Sequence, residues 1–78
     1  MEITRSYAVI IEPDEDGIFV ATAPAFPGVV DQGATEEEAL ENIRQALDFT
    51  LADMVENGED VPPSDAGRKV VRVVDLAV

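Results

Sequence analysis

Pro24-Ala25-Phe26-Pro27-Gly28 is followed, seven positions after Gly28, by Thr35-Glu36-Glu37-Glu38-Ala39-Leu40. Proline locks φ at about −65° and withholds an amide donor, while glycine admits positive φ, so the first segment is a rigid turn. The second has the signature of a helix start: Thr35 and Glu38 fit a capping box, in which each satisfies a free amide of the first turn. Glu36, Glu37 and Glu38 also sit at the positive end of the helix dipole. Between the two, Val29 to Gln32 has room only for a short strand. Turn, strand and capped helix are therefore set in order along one stretch of chain.

The helix is expected from about Glu36 to Glu56. Leu40, Ile43, Leu47, Leu51 and Met54 recur at three- and four-residue steps, with Ala39, Ala46 and Thr50 beside them, which gives one apolar stripe to lay against a sheet. Asn57-Gly58 ends it, with Gly58 suited to the left-handed capping position. Upstream, β-branched and aromatic residues make Ile3 to Glu12 a strand, with Ile3, Tyr7, Val9 and Ile11 on one face and Ala8 and Ile10 on the other. Pro13-Asp14-Glu15-Asp16-Gly17 supplies turn chemistry, and Ile18 to Ala23 completes a hairpin. Glu59 to Gly67 is a loop, partly extended at Pro62-Pro63. Arg68 to Val78 is a last strand with apolar residues on both faces.

The order is β-β-β-α-β, a single α+β domain over residues 1–78. Three strands form an antiparallel meander. A right-handed crossover through the helix would place the fourth strand beside the first and parallel to it, giving a mixed sheet of order 3-2-1-4 with one helix on one face. One helix covers one face only. A copy of the chain or a partner is expected on part of the other. Phe19 alternates to the opposite side from Val20 and is a candidate for that second, partner-facing side. Phe26, held between two prolines, reads as core under the helix, with a presented interface anchor as the alternative.

Composition narrows the function. A core of 78 residues is marginal without staples, and with no cysteine there is neither a disulfide framework nor a thiolate metal site. Oligomerisation, as a dimer or tetramer, is the remaining staple. Histidine is absent as well, which removes the commonest general base and zinc ligand. The net charge is −12, from 17 acidic and 5 basic residues. Such a surface repels phosphate backbones, so direct nucleic-acid binding is not expected, and it attracts a basic protein. No apolar run approaches the ~20 residues of a membrane span, and the N-terminus shows no signal-peptide core. The chain reads as cytoplasmic.

Catalytic chemistry finds little support. Asp14-Glu15-Asp16-Gly17 is too short for a calcium loop and reads as a solvated hairpin turn, although a metal binder or enzyme using Asp14 to Asp16 is a third possibility. Ser6 and Ser64 have no histidine to activate them and stand in no nucleophile elbow. Gly17, Gly28 and Gly33 form no phosphate loop, and each reads as a position of special backbone angle. From Asp31 to Asp60 there are ten acids and one base, Arg44. This is either a solvated helix face or an acidic patch that docks a basic partner. No catalytic, cofactor or metal residue is assigned.

Over Tyr7 to Pro62 the residues resemble the HicB family of antitoxins. The shared features are a tyrosine strand (Tyr7), an acidic turn closing on glycine (Asp14 to Gly17), the Pro24 to Gly28 segment, and a Gly-x-Thr-x-Glu-Glu-Ala helix start (Gly33 to Ala39). Asn42, Ile43, Ala46 and Leu47, then Gly58 and Val61-Pro62, continue the series. Ala25 stands where an aspartate is common, and Val29 where a cysteine is common. The resemblance implies a partial ribonuclease-H-like fold without catalytic carboxylates. It also implies binding of HicA, a small basic toxin that cleaves messenger RNA. Many HicB proteins carry a C-terminal DNA-binding domain; this chain reaches Val78 without such a segment, so operator binding is not carried over. Phe19, Asp31, Gln32, Glu37 and Glu41 are the candidate partner contacts, Glu37 and Glu41 sharing one outward helix face. The alternative is a solo structural or regulatory oligomer of the same fold with no toxin.

Overall fold

The alternating run Tyr7-Ala8-Val9-Ile10-Ile11 forms the centre of β1 (Thr4–Pro13) in the computed structural model, which describes residues 4–65 and 72–77. β2 (Phe19–Thr22), β3 (Val30–Gly33), α1 (Glu36–Glu56) and β4 (Arg72–Ala77) follow. The sheet order is β3-β2-β1-β4, with one helix across it. The expected fourth strand extended over residues 68–78; of these, 68–71 and 78 lie outside the described residues, as does Ile3.

Local signals act as their chemistry requires. Asp14 Oδ1 accepts the amides of Asp16 and Ile18 at 2.8 and 2.9 Å, and Asp14 N donates to the Ile18 carbonyl at 2.7 Å, closing the β1–β2 hairpin. The Pro24–Gly28 segment is two successive turns sharing Phe26: Phe26 N donates to Ala23 O, and Val29 N donates to Phe26 O. Pro27 and Gly28, with φ +95°, occupy the central positions of a type II turn. The double turn drives the Phe26 ring into the core, edge-on to Tyr7 with centroids 4.8 Å apart. Thr35 Oγ1 caps Glu38 N at 3.0 Å, while the Glu38 carboxylate returns to Ala34 N rather than to Thr35 N. At the far end Gly58 N bonds Val55 O and Glu59 N bonds Met54 O, a Schellman motif with Gly58 at φ +71°.

The core lies between α1 and one face of the sheet. Ala39, Ile43, Leu47 and Leu51 from α1 meet Tyr7, Val9 and Ile11 of β1, Ala21 of β2, and Val74 and Leu76 of β4. Gly33 is buried here with ordinary φ. Its role is close approach, not a special angle, because a Cβ would sit 2.5 Å from Ala39 N.

Besides the role of Gly33, two expectations are corrected. β4 runs antiparallel to β1, pairing Thr4 with Ala77 and Val9 with Arg72, so the sheet is antiparallel throughout and not mixed. The reason lies in the stretch after the helix. Val61 to Asp65 climbs alongside β1 in the same direction: Arg5 Nη1 donates to the Val61 and Pro62 carbonyls, the Tyr7 hydroxyl donates to Pro62 O at 2.6 Å, Ser6 N to Ser64 Oγ, Ala8 N to Asp65 Oδ1, and Asp65 N to Ser6 O. This strap fills the edge of β1 that β2 leaves empty below Ile10. By Asp65 it has brought the chain level with Ala8, beside Val9, opposite which β4 begins its antiparallel run. The second correction is Phe19. The hairpin register sets it opposite Pro13 and on the same side as Ala21, where it packs against the core beneath α1.

Candidate interaction surfaces

Two surfaces are left for contact. The first is the sheet face away from α1. Alternation brings Ile10, Val20, Thr22, Val30 and Val73 to it, with Glu12, Gln32, Ser6 and Asp75 around them. Val30 is 58% exposed and Val73 43% exposed. Ser6 Oγ donates to the Asp75 carboxylate across the β1–β4 pair. The second surface is the outer side of α1, whose acidic residues have two different states.

In the first half of α1 two acids, Glu37 and Glu41, are neutralised within the chain, and Glu38 accepts the Ala34 amide. Arg72 of β4 reaches Glu37 with both guanidinium nitrogens, at 2.8 and 3.1 Å. That hydrogen bonding, followed by simple charge attraction, lowers the Glu37 carboxyl from its usual range and raises Arg72. Arg44 bonds Glu41 at 2.6 and 2.7 Å and Asp48 at 2.8 Å, and its hydrogen bonds hold the Glu41 carboxyl at about 2. Farther along, Asp53 and Glu56 of α1, and Glu59 and Asp60 just after it, enter no ion pair among the described residues, and the last turn of α1 carries no base.

The five sequence-predicted contacts do not form one surface. Phe19 and the half-buried Asp31 lie on the helix side of the sheet. Gln32 is on the open face, and its carbonyl accepts a hydrogen bond from Asn42 of α1. Glu37 and Glu41 are together on α1, each occupied by an arginine. Sequence reasoning missed Phe49, which projects from α1 with 79% exposure, and Val55, with 51%. The available signal was its position: Phe49 falls off the Ile43-Leu47-Leu51 stripe, where an aromatic has no core to enter.

Among the described residues Tyr7 is the one buried titratable side chain, and burial pushes its hydroxyl up from the ordinary phenol range. It is held by Pro62 O as part of the strap. Among the described residues no three carboxylates are grouped to hold a metal ion, and no helix is long and apolar enough to cross a membrane.

The sequence matches the family described as HicB_like antitoxin of bacterial toxin-antitoxin system over residues 7–75. The chain belongs to the HicB-like antitoxin family. A UPF0150 protein of Thermoplasma acidophilum is 42% identical over 60 residues, covering 77% of this chain and 87% of the relative. Antitoxin HicB 1 of Photorhabdus laumondii is 37% identical over 68 residues, covering 86% of this chain but 44% of that protein. The crystal structure of the N-terminal domain of Burkholderia pseudomallei antitoxin HicB superimposes with TM-score 0.69 at 26% identity, covering 94% of both chains. The HicB-like fold thus supplies the frame on which both surfaces are carried.

Proposed function

We propose that this chain is an antitoxin module that binds a small basic HicA-type toxin and covers its RNA-cleaving surface, acting without catalysis of its own. Membership of the HicB-like family is the observation that carries the reading. A net charge of −12 supports it on separate grounds, since the surface complements a cationic RNA-binding protein and speeds its encounter. The buried Tyr7 and the hydrogen-bonded Asp14 turn are structural, which leaves binding as the role of the exposed groups. The module works in the cytoplasm, where messenger RNA is the toxin's target. The test is co-expression with a HicA-type toxin from the same genome. Rescue of growth and co-purification of the two proteins are expected; growth arrest with no complex contradicts the proposal.

A second reading, an oligomer that functions without a toxin, is favoured by Val30 and Val73, which stand open on the sheet face in a chain this small. Self-association through that face fits both readings. A pull-down that returns only this chain would select the second.

A further inference from the structure

We propose that the C-terminal half of α1, centred on Phe49, is the surface that takes the basic partner, while the open sheet face is left to copies of the chain. The inference rests on the antitoxin reading and assigns it a place. Phe49, Ala52 and Val55 follow at three-residue steps, so they are neighbours on the outer side of the helix, and all three are exposed. Beside them a groove of about 310 Å³ runs between α1 and the end of β4, lined by Asp48, Leu51, Ala52, Val55, Glu56 and Ala77. Its floor is apolar and its rim acidic. An aromatic anchor next to an apolar groove with a charged rim is the arrangement of an interface centre. The groove's size suits side chains of a docked helix.

Charge selects the occupant. In the first half of α1, Glu37 and Glu41 are paired with Arg72 and Arg44, while Glu36 and Glu38 stand in the first turn, at the favourable positive end of the helix dipole. Asp53 and Glu56, on the same half of the helix as Phe49 and Val55, and Glu59 and Asp60 just beyond its end, have no such partner among the described residues. They also stand at the negative end of the helix dipole, where a carboxylate is unfavourable and a cation is favourable. A second copy docked here would set these acids against their equivalents. A lysine- or arginine-rich segment with an apolar face would bury Phe49 and relieve both repulsions. The sheet face, where Glu12 and Asp75 are the only charges near Ile10, Val20, Val30 and Val73 among the described residues, lacks this bias.

The probe is a fluorescent amphipathic helix built of leucine and lysine, titrated by anisotropy into the whole chain, with the mass of each protein measured by light scattering. Phe49→Ser is expected to weaken binding about tenfold, equivalent to ~1.4 kcal/mol. Val55→Ser should weaken it less, and Val30→Ser not at all. A probe with serine in place of leucine should bind wild type and Phe49→Ser alike. The mass of Phe49→Ser should equal that of wild type, and its circular dichroism should be unchanged, because the side chain is outside the core. Equal binding of the leucine–lysine probe by Phe49→Ser and wild type overturns the proposal. So does a lower mass for Phe49→Ser, which would make the patch a self-contact. Failure of toxin neutralisation with this pattern intact would refute the antitoxin reading alone; neutralisation with the pattern absent would refute the placement alone.

Discussion

Replacing Gly33 by alanine tests the contact between helix and sheet. Gly33 ends β3, and the first turn of α1 crosses over it. An added Cβ would lie 2.5 Å from Ala39 N and 2.8 Å from both the carbonyl carbon and Cβ of Glu38. Two of those atoms are backbone and cannot rotate away, so α1 must lift or β3 must sink. Overpacking of a tight site costs ~1–3 kcal/mol, and a backbone obstacle puts this case at the upper end. Alanine recovers ~0.4–1 kcal/mol by restricting the unfolded chain. The net loss is ~2 kcal/mol, which at ~4–8 °C per kcal/mol for a domain of this size lowers Tm by ~8–16 °C. Thermal unfolding followed by far-UV circular dichroism reads this directly, and a urea titration should show a lower midpoint with unchanged slope. Gly28→Ala is the control for backbone angle: φ is +95° with nothing within 4 Å of the added carbon, so its loss comes from conformation alone, ~1–2 kcal/mol. A Gly33→Ala protein melting within ~2 °C of wild type would refute the close-approach account.

Tyr7→Phe removes the 2.6 Å bond to the Pro62 carbonyl; because Arg5 still donates to that oxygen, the expected loss is ~1 kcal/mol by urea unfolding, and no loss would mean the strap is not held there. The Glu41 carboxyl is held at about 2, below its unfolded value of 4.5, so its contribution is complete above about 4.5 and disappears as pH falls toward about 2. Glu41→Gln should therefore melt below wild type at neutral pH and converge with it near the acid limit; a difference that grows on acidification contradicts the pairing. Salt is expected to stabilise the wild type at neutral pH by screening its own repulsion, so Tm should rise between about 0.01 and about 0.1 M sodium chloride, where the screening length shortens from ~30 to ~10 Å.

The parts of this fold that were legible in the sequence are those decided within a few residues. The Pro24–Gly28 double turn, the Thr35 cap, the Ala39-to-Leu51 stripe and the Gly58 stop depend on local chemistry, and each forms where its residues stand. The direction of β4 depended on Pro62 and Asp65 finding Tyr7, Ser6 and Ala8, contacts more than fifty residues apart along the chain. Nothing in the local pattern of the Glu59–Gly67 stretch records them. Phe19 shows a related limit: alternation separated it from Val20, but only the register against Pro13 says which of the two faces the helix. For the surfaces, the outward placement of Glu37 and Glu41 was readable from helical spacing. Their neutralisation was not, because one arginine comes from β4 and the other reaches two acids at once. Phe49 was readable in principle, as the one aromatic off the stripe.

The account as a whole holds that this small acidic chain has two sticky surfaces with different occupants, its own copies on the sheet and a basic protein on the helix. The most direct test is the light-scattering mass of the purified chain, measured alone and after mixing with a HicA-type toxin from the same genome. The account predicts a multiple of the chain mass for the protein alone and a heavier species on mixing, with the self-assembly retained. A single-chain mass that does not change when the basic protein is added would contradict it.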